Sequence, residues 1–356
     1  LTSVAVATER GHRSVPSIAS QPFRSLLAAG FACALALPAA GQAPPAASEW
    51  KLSTALGPTY PEGKAGAIWA TLIGERSAGR LNVKLFPGAT LAQRDPAREF
   101  LALRDGAVEL AVGSAAAWAL QVKELNLIAL PWLVPDADAL DALLQSDVTQ
   151  RLGERVQAAG VVPLAWASDG FSELATSRAI HVPSDLKALT LRVAASPLFL
   201  QTLIALGAQP VSMSTEDARA AQRNGALEGE VTSVAAYRIS RTYALGLPHL
   251  LVWGAHADAL LFAVNRRLWD SLSDADRELV RQAARDAALQ ASALSRSQAG
   301  AGALAELAGQ GATVTRLTPA GKEPFRAAAH AVYERWAALV GQDLVHTAEA
   351  VVAAPR

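Results

Sequence analysis

Only one cysteine, Cys33, occurs among 356 residues, which excludes a disulfide framework and any cysteine-based metal site. Neither sign of charge is in excess, because 32 Lys and Arg stand against 32 Asp and Glu. No run of Lys or Arg breaks that balance, so the chain as a whole attracts neither nucleic acid nor an anionic lipid surface. Internal repeats and low-complexity linkers are missing as well. What the chain has is apolar substance: 51% of its residues are hydrophobic and 18% charged, enough for a sizeable core.

The first 50 residues differ from the rest. Arg10, Arg13 and Arg24 face one acid, Glu9, and precede an apolar run from Leu26 to Leu37. The run is shorter than the ~20 residues of a membrane span. Small residues follow in Pro38-Ala39-Ala40-Gly41-Gln42-Ala43. Basic segment, short apolar run and small residues together read as a secretory signal peptide over residues 1–43, with cleavage after Gly41 or Ala43. The chain opens on Leu1 and its polar leader is long for this class. Cys33 falls in the removed segment, and a cysteine-free mature chain suits an oxidising compartment. Removal leaves 29 basic against 31 acidic residues, a net charge of −2.

Beyond Trp50 the pattern alternates. Strand-like stretches are Trp50–Leu56, Leu81–Phe86, Glu109–Gly113, Val161–Trp166, Leu189–Val193, Leu227–Thr232 and Ala259–Val264. Helical stretches Glu62–Ala78 and Pro96–Arg104 fall between the first of them. This rhythm predicts an α/β fold with a largely parallel sheet. No Gly/Ser/Pro-rich seam separates two halves, so two lobes joined by crossovers are expected. A long helix is predicted from Ser273, which forms a variant capping box with Asp276. Its apolar positions run to Leu304, with Gly300 and Gly302 as places for a bend. Thirty residues span ~45 Å, enough to brace two lobes.

Several chemistries find no motif. Gly57 to Lys64 has the wrong glycine spacing for a phosphate loop, and Ala65 stands where Ser or Thr would hold magnesium. Gly170-Phe171-Ser172-Glu173-Leu174 lacks the last glycine of a nucleophile elbow. His249 and His256 are seven apart, which does not make an i, i+4 zinc pair. Dinucleotide glycine fingerprints are absent, and no metal or cofactor is expected.

Arg192 interrupts an apolar strand just before the loop Ala194-Ala195-Ser196-Pro197. Open α/β sheets bind ligands beyond the carboxyl ends of their strands, and a guanidinium there suits a carboxylate. The alternative is a solvent-facing Arg192 paired with an acid such as Asp185. Trp118, Trp166, Tyr237 and Trp253 lie near strand ends, with His256 close to the last. Each could line an apolar cleft or pack in the core.

Several blocks resemble TRAP-transporter substrate-binding proteins of the DctP type over roughly Trp50 to Trp336. They are the strand and Pro-Gly-Ala-Thr-Leu of Leu85–Leu91, then Arg104–Leu110, then Leu130-Pro131-Trp132-Leu133. Pro183–Val193 is close to the family's "P-x-D-[LM]-K-G-L-K-[IL]-R-V", and Gly207–Met213 and Ala221–Gly229 follow in order. The resemblance implies a two-lobed periplasmic binding protein (type II-like) with a long helix bracing both lobes. It divides the chain into lobe I, 48–168 and 258–308, and lobe II, 169–257 and 309–356. It further implies capture of a small organic acid by hinge closure, delivery to the small and large TRAP membrane subunits, and a periplasmic location without stable membrane insertion.

Arg192 falls on the family's carboxylate-binding arginine. Ser172 stands where the family often has a second arginine, Thr232 where it has a ligand-binding Asn, Ser114 where a longer polar residue is common, and Thr215 where Phe is common. These departures predict a roomier pocket with one fewer cation, suited to one carboxylate on an apolar or aromatic body. Two other outputs are open: ligand delivery to a membrane sensor kinase, or an exported enzyme on small acids using Asp169, Glu230 or His256.

Overall fold

The fold is that of a computed structural model, which describes residues 49–354 apart from Ala195 and Ser214, with backbone only at Thr215 and Glu216. The signal peptide expected over 1–43 lies outside the described residues. Nine strands form one sheet: β1 Glu49–Thr54, β2 Asn82–Pro87, β3 Leu110–Ser114, β4 Val161–Thr176, β5 Thr190–Val193, β6 Gln209–Ser212, β7 Gly229–Thr232, β8 His249–Asn265 and β9 Thr313–Arg316. Their order is β2-β1-β3-β8-β4-β7-β5-β6, with β9 also on β8.

Two parallel trios flank a central antiparallel pair. β1 pairs in parallel with β2 and β3, and β5 pairs in parallel with β6 and β7. Between them β4 and β8 run antiparallel along their full lengths. β3 joins one end of that ladder, at Leu260–Val264 of β8. β7 joins the other, at Glu173–Thr176 of β4. The expected parallel sheet is therefore antiparallel at its centre. A strand covered on both faces needs apolar residues on both, and Leu250–Val264 of β8 is almost wholly so, with Asp258 as its one acid.

The central ladder is interrupted three times, between Pro163 and Ala165, Ser168 and Gly170, and Ser172 and Leu174. At the second, Gly170 adopts φ +88° opposite Asp258, a backbone state open to glycine at little cost. At the third, the Glu173 carboxylate accepts from the backbone N–H of Trp253 (2.8 Å) and Gly254 (3.0 Å). It thus satisfies two donors that the ladder leaves unpaired.

The long helix covers Asp274–Ala299, capped as expected by Ser273, whose Oγ accepts from Asp276 N at 3.1 Å. It stops at Gly300, and a separate helix follows over Ala301–Gly309. Twenty-six residues extend about 39 Å at ~1.5 Å each. Its small buried face, Val280, Ala283, Ala284, Ala287, Ala288 and Ala291, packs against β4 and the helix Pro61–Arg76. Arg76 and Arg80 pair with its Asp286 and Asp276, and Arg296 near its end reaches Asp138 and Asp141. Ser292 Oγ accepts from Ser168 N at 2.9 Å, so the helix also seals the second interruption of the ladder. No helix among the described residues is long and apolar enough to cross a membrane.

Candidate functional site

Both parallel trios end at the same place. The carboxyl ends of β1 and β3 are Thr54 and Ser114, and β3 reaches the ladder beside Asp258. The carboxyl end of β7 is Thr232, opposite Glu173 of β4. The ladder segment between these points, Ser168 to Ser172 against His256 to Asp258, is where the two sets of strand ends converge. Ligands in open α/β sheets sit beyond such ends. Tyr60, in the loop after β1, hydrogen-bonds Ser240, at the end of the helix after β7, at 3.0 Å. That contact joins the two sides across this region.

On the β5–β7 side, Arg192 is half-buried at the carboxyl end of β5. Its Nε donates to Met213 O at 3.4 Å. Glu230 is its register partner on β7 and is held by Gln222 (2.8 Å) and Thr242 (3.2 Å). Burial pushes the Glu230 carboxyl up, and the Arg192 charge counters that. Asp185, the alternative partner, is engaged elsewhere, accepting from the backbone N–H of His181 and Val182 at 2.8 and 3.0 Å. Thr232 closes β7 with its hydroxyl donating to Ser233 O at 3.4 Å.

On the β1–β3 side, four carboxyls crowd together. Asp258 accepts from Ser114 Oγ (2.5 Å), Ala116 N (3.1 Å) and Ala259 N (2.8 Å). Glu62 accepts from Ala55 N at 2.5 Å, and Glu99 from Ser53 Oγ at 2.6 Å. Asp169 lies near Asp258 and the long helix's Ser295. Burial, the largest cause in each case, raises Asp258 to about 6, Glu99 to about 7 and Asp169 to about 8. Glu62 is raised too, by burial and then by Glu99, Asp169 and Asp258.

These shifts carry a pH dependence. Above its ordinary range each acid is ionised in the unfolded chain but still protonated in the fold. The folded state then binds more protons, and stability falls as pH rises toward the folded pKa. His256, lowered to about 4 by burial, acts oppositely below its ordinary value of 6.5. The fall is therefore expected between pH 6.5 and about 8, the range where Asp169 and Glu99 still titrate. Thermal unfolding of the ligand-free protein across that range measures it, and a flat or rising midpoint contradicts it.

Residues 52–339 match the family model for bacterial extracellular solute-binding proteins, family 7 (DctP). The chain belongs to this family. Its sequence is 45% identical to a TRAP periplasmic solute-binding protein of Ralstonia eutropha, solved with (S)-2-acetolactate, over 86% of this chain and 98% of that one, with a TM-score of 0.83. A curated solute-binding protein of Chromohalobacter salexigens is 25% identical over 70% of this chain and 73% of its own length. The fold of a succinate-bound relative from Shewanella oneidensis also matches, at a TM-score of 0.79 and 21% identity, over 85% of this chain and 98% of that one. Family 7 proteins are two-lobed solute-binding proteins of transport systems, and the mixed sheet described above is theirs.

Within this binding-protein frame the aromatic candidates divide. Trp118, Tyr237 and Trp253 are fully buried, and His256 nearly so. Trp118 packs edge-on to Phe100 at 5.6 Å, Tyr237 donates to Leu247 O at 2.8 Å, and Trp253 packs edge-on to Trp132 and Phe325 at 5.7 and 5.9 Å. His256 stacks on Phe199 at 4.2 Å, with Nδ1 2.7 Å from Ala129 O. Of the two placements open from the sequence, cleft wall or core, all four are packed in the core, where large rings bring most area when none of it faces water. Trp166, Ser114 and Ser172 remain partly exposed, Ser172 accepting from Trp253 Nε1 at 3.1 Å through its carbonyl. Thr215 opens the helix Thr215–Arg223, and its side chain is outside the described residues. Two recesses elsewhere, of about 350 and 400 Å³, are lined by Arg151, Arg155 and Asp343 and by Trp132, His330 and Tyr333, and neither includes Arg192.

The sequence reading missed Glu62, Glu99 and Asp258 altogether. Asp258 carried a usable signal, an acid inside a strand-length apolar run. Glu62 and Glu99 carried none, since each opens an ordinary helix where acids favour the dipole.

Proposed function

We propose that this chain is an exported receptor for a small organic acid, which it encloses between its lobes and delivers to TRAP membrane subunits. The observation that carries the reading is Arg192, a half-buried residue where β5 ends beside the converging strand ends. A bidentate contact from it would hold one carboxylate. The lobes divide at 168/169 and 257/258, where Gly170 faces Asp258 and the ladder is interrupted. Such an interruption can absorb a hinge rotation. Ligand that binds the closed state better shifts the population toward it, and the Tyr60–Ser240 contact suits that state. The leader over 1–43 would place the mature chain in the periplasm.

The ligand class is a short substituted monocarboxylate. A relative at 45% identity holds (S)-2-acetolactate, which is a hydroxy-keto monocarboxylate. The test is thermal unfolding of the mature chain with 2-acetolactate and related acids. At a hundredfold excess over its dissociation constant a true ligand stabilises the fold by about 2.7 kcal/mol. No shift with any short monocarboxylate overturns the reading.

A further inference from the structure

We propose that Glu230 is the resting counter-charge of Arg192, a positioning residue that holds the guanidinium ready for a ligand carboxylate and limits how tightly that carboxylate is kept. The proposal rests on Arg192 as the carboxylate anchor and adds what stands behind it.

β5 lies between β6 and β7 in the sheet, and Arg192 is met from both sides. Its register partners are Val211 on β6 and Glu230 on β7. Partners in register on parallel strands share a face, with the strands about 4.8 Å apart, so the Glu230 side chain leaves the sheet beside that of Arg192. On the other flank the Arg192 Nε donates to Met213 O at 3.4 Å. Met213 follows Ser212, the last residue of β6, so the guanidinium extends toward the strand ends. Glu230 lies two residues short of Thr232, where β7 ends. The acid therefore stands behind the arginine, on the side away from those ends.

Glu230 is fixed where it is. It is buried, and its Oε2 accepts from Gln222 Nε2 at 2.8 Å and its Oε1 from Thr242 Oγ1 at 3.2 Å. Gln222 belongs to the helix Thr215–Arg223 and Thr242 to the short turn Thr242–Leu245, so two elements outside the sheet clamp the carboxylate. Both oxygens accept, the pattern of an ionised acid with no proton to donate. A buried anion needs a cation nearby, and a half-buried arginine has the converse need. Of the two cations that bear on Glu230, Arg192 weighs more, and Arg219, exposed on its helix, less.

The consequence falls on affinity. A ligand carboxylate arriving at Arg192 meets a cation with an anion already beside it. That anion cannot swing away while Gln222 and Thr242 hold both its oxygens, so two negative groups share one guanidinium. The contact to Met213 O keeps the guanidinium placed on its other flank. Removing the charge of Glu230 thus relieves more repulsion than it costs in placement. Glu230 lowers the affinity for an acid that a receptor must later release.

The experiment is calorimetric titration of the mature chain at pH 7.5 with 2-acetolactate and 2-hydroxy-3-methylbutanoate. Glu230→Gln keeps the length of the side chain, accepts from Gln222 through its oxygen, donates to Thr242 through its amide, and lacks the charge. It should bind about tenfold tighter than wild type, the scale of one like charge relieved at a partly screened site. Glu230→Asp keeps the charge and should stay within about threefold of wild type. A native circular dichroism spectrum qualifies each variant. Equal or weaker binding by folded Glu230→Gln, the result for an acid that only supports the fold, overturns the proposal. An equal gain in Glu230→Asp also overturns it, because lost contacts and not lost charge would then be the cause. If Glu230→Gln does not fold, wild type decides by salt. An anion docking on a balanced pair should lose less than about threefold in affinity from about 0.05 to about 0.5 M sodium chloride, and a steeper loss overturns the proposal. Each of these results leaves carboxylate capture intact, whereas failure of both acids to bind wild type overturns that reading and this one together.

Discussion

Replacing Arg192 by alanine is expected to weaken binding of a short carboxylate by about 2–5 kcal/mol, the scale for removing one partner of a desolvated charge pair. Isothermal titration of wild type and Arg192→Ala with the same acid measures it. Arg192 is half-buried, so a pair it forms is less screened than one on the open surface. The variant has a second effect that must be separated. Glu230 sits beside Arg192 in register and already has its carboxyl raised by burial. Losing the cation raises it further. Gln222 and Thr242 still hold the Glu230 oxygens, so the fold should survive, and a native circular dichroism spectrum confirms it. Arg192→Lys should recover only part of the affinity, because an ammonium cannot make the planar two-point contact. An unchanged dissociation constant in Arg192→Ala removes this residue from the site and the carboxylate reading with it.

Trp253→Ala should destabilise the fold by about 3–5 kcal/mol, the range for emptying a buried aromatic site. Trp253 is fully buried, with edge contacts to Trp132 and Phe325. Its indole N–H also donates to Ser172 O at 3.1 Å. Alanine leaves that carbonyl to find another donor. The backbone at Trp253 is held besides by Glu173, and its carbonyl accepts from Trp132 Nε1 at 3.2 Å. The ring therefore packs the third interruption of the ladder as well as filling space. Urea unfolding gives the number. A loss under about 1 kcal/mol would mean that the surrounding side chains collapse into the gap, the favourable extreme of such substitutions.

Much of the fold was legible because local signals were strong. β1 and β2 alternate, β3 is a short apolar run, and the long helix announces its start through Ser273 and Asp276. The length of β4 was hidden because the stretch after Trp166, Ser168-Asp169-Gly170-Phe171-Ser172, reads as a loop. β8 was hidden in the same way by Gly254, His256 and Asp258. Both strands continue through these residues because partners on either side hold them there, and that information is not local. β6 and β9 each have only four residues with half-exposed faces. Pro210 in β6 suits an edge strand that has no ladder to donate to.

The site was legible on one side only. Arg192 stands out as a charge in an apolar strand next to a loop, and the family resemblance gave it a role. The group of carboxyls opposite is made of Glu62, Glu99, Asp169 and Asp258, which come from four separate segments. Nothing in any one segment foretells that they meet. The aromatics stayed ambiguous for the opposite reason: position near a strand end says where a ring begins, not which way it turns.

The shared central ladder has a consequence for how the chain is born. Leu110 of β3 finds its partner only at Val264 of β8, so the first three strands stay without their inner neighbour until most of the polypeptide has been synthesised. Contacts this remote in sequence make folding slow. A nascent chain that cannot finish its sheet remains threadable, which is what passage through a narrow translocation channel demands.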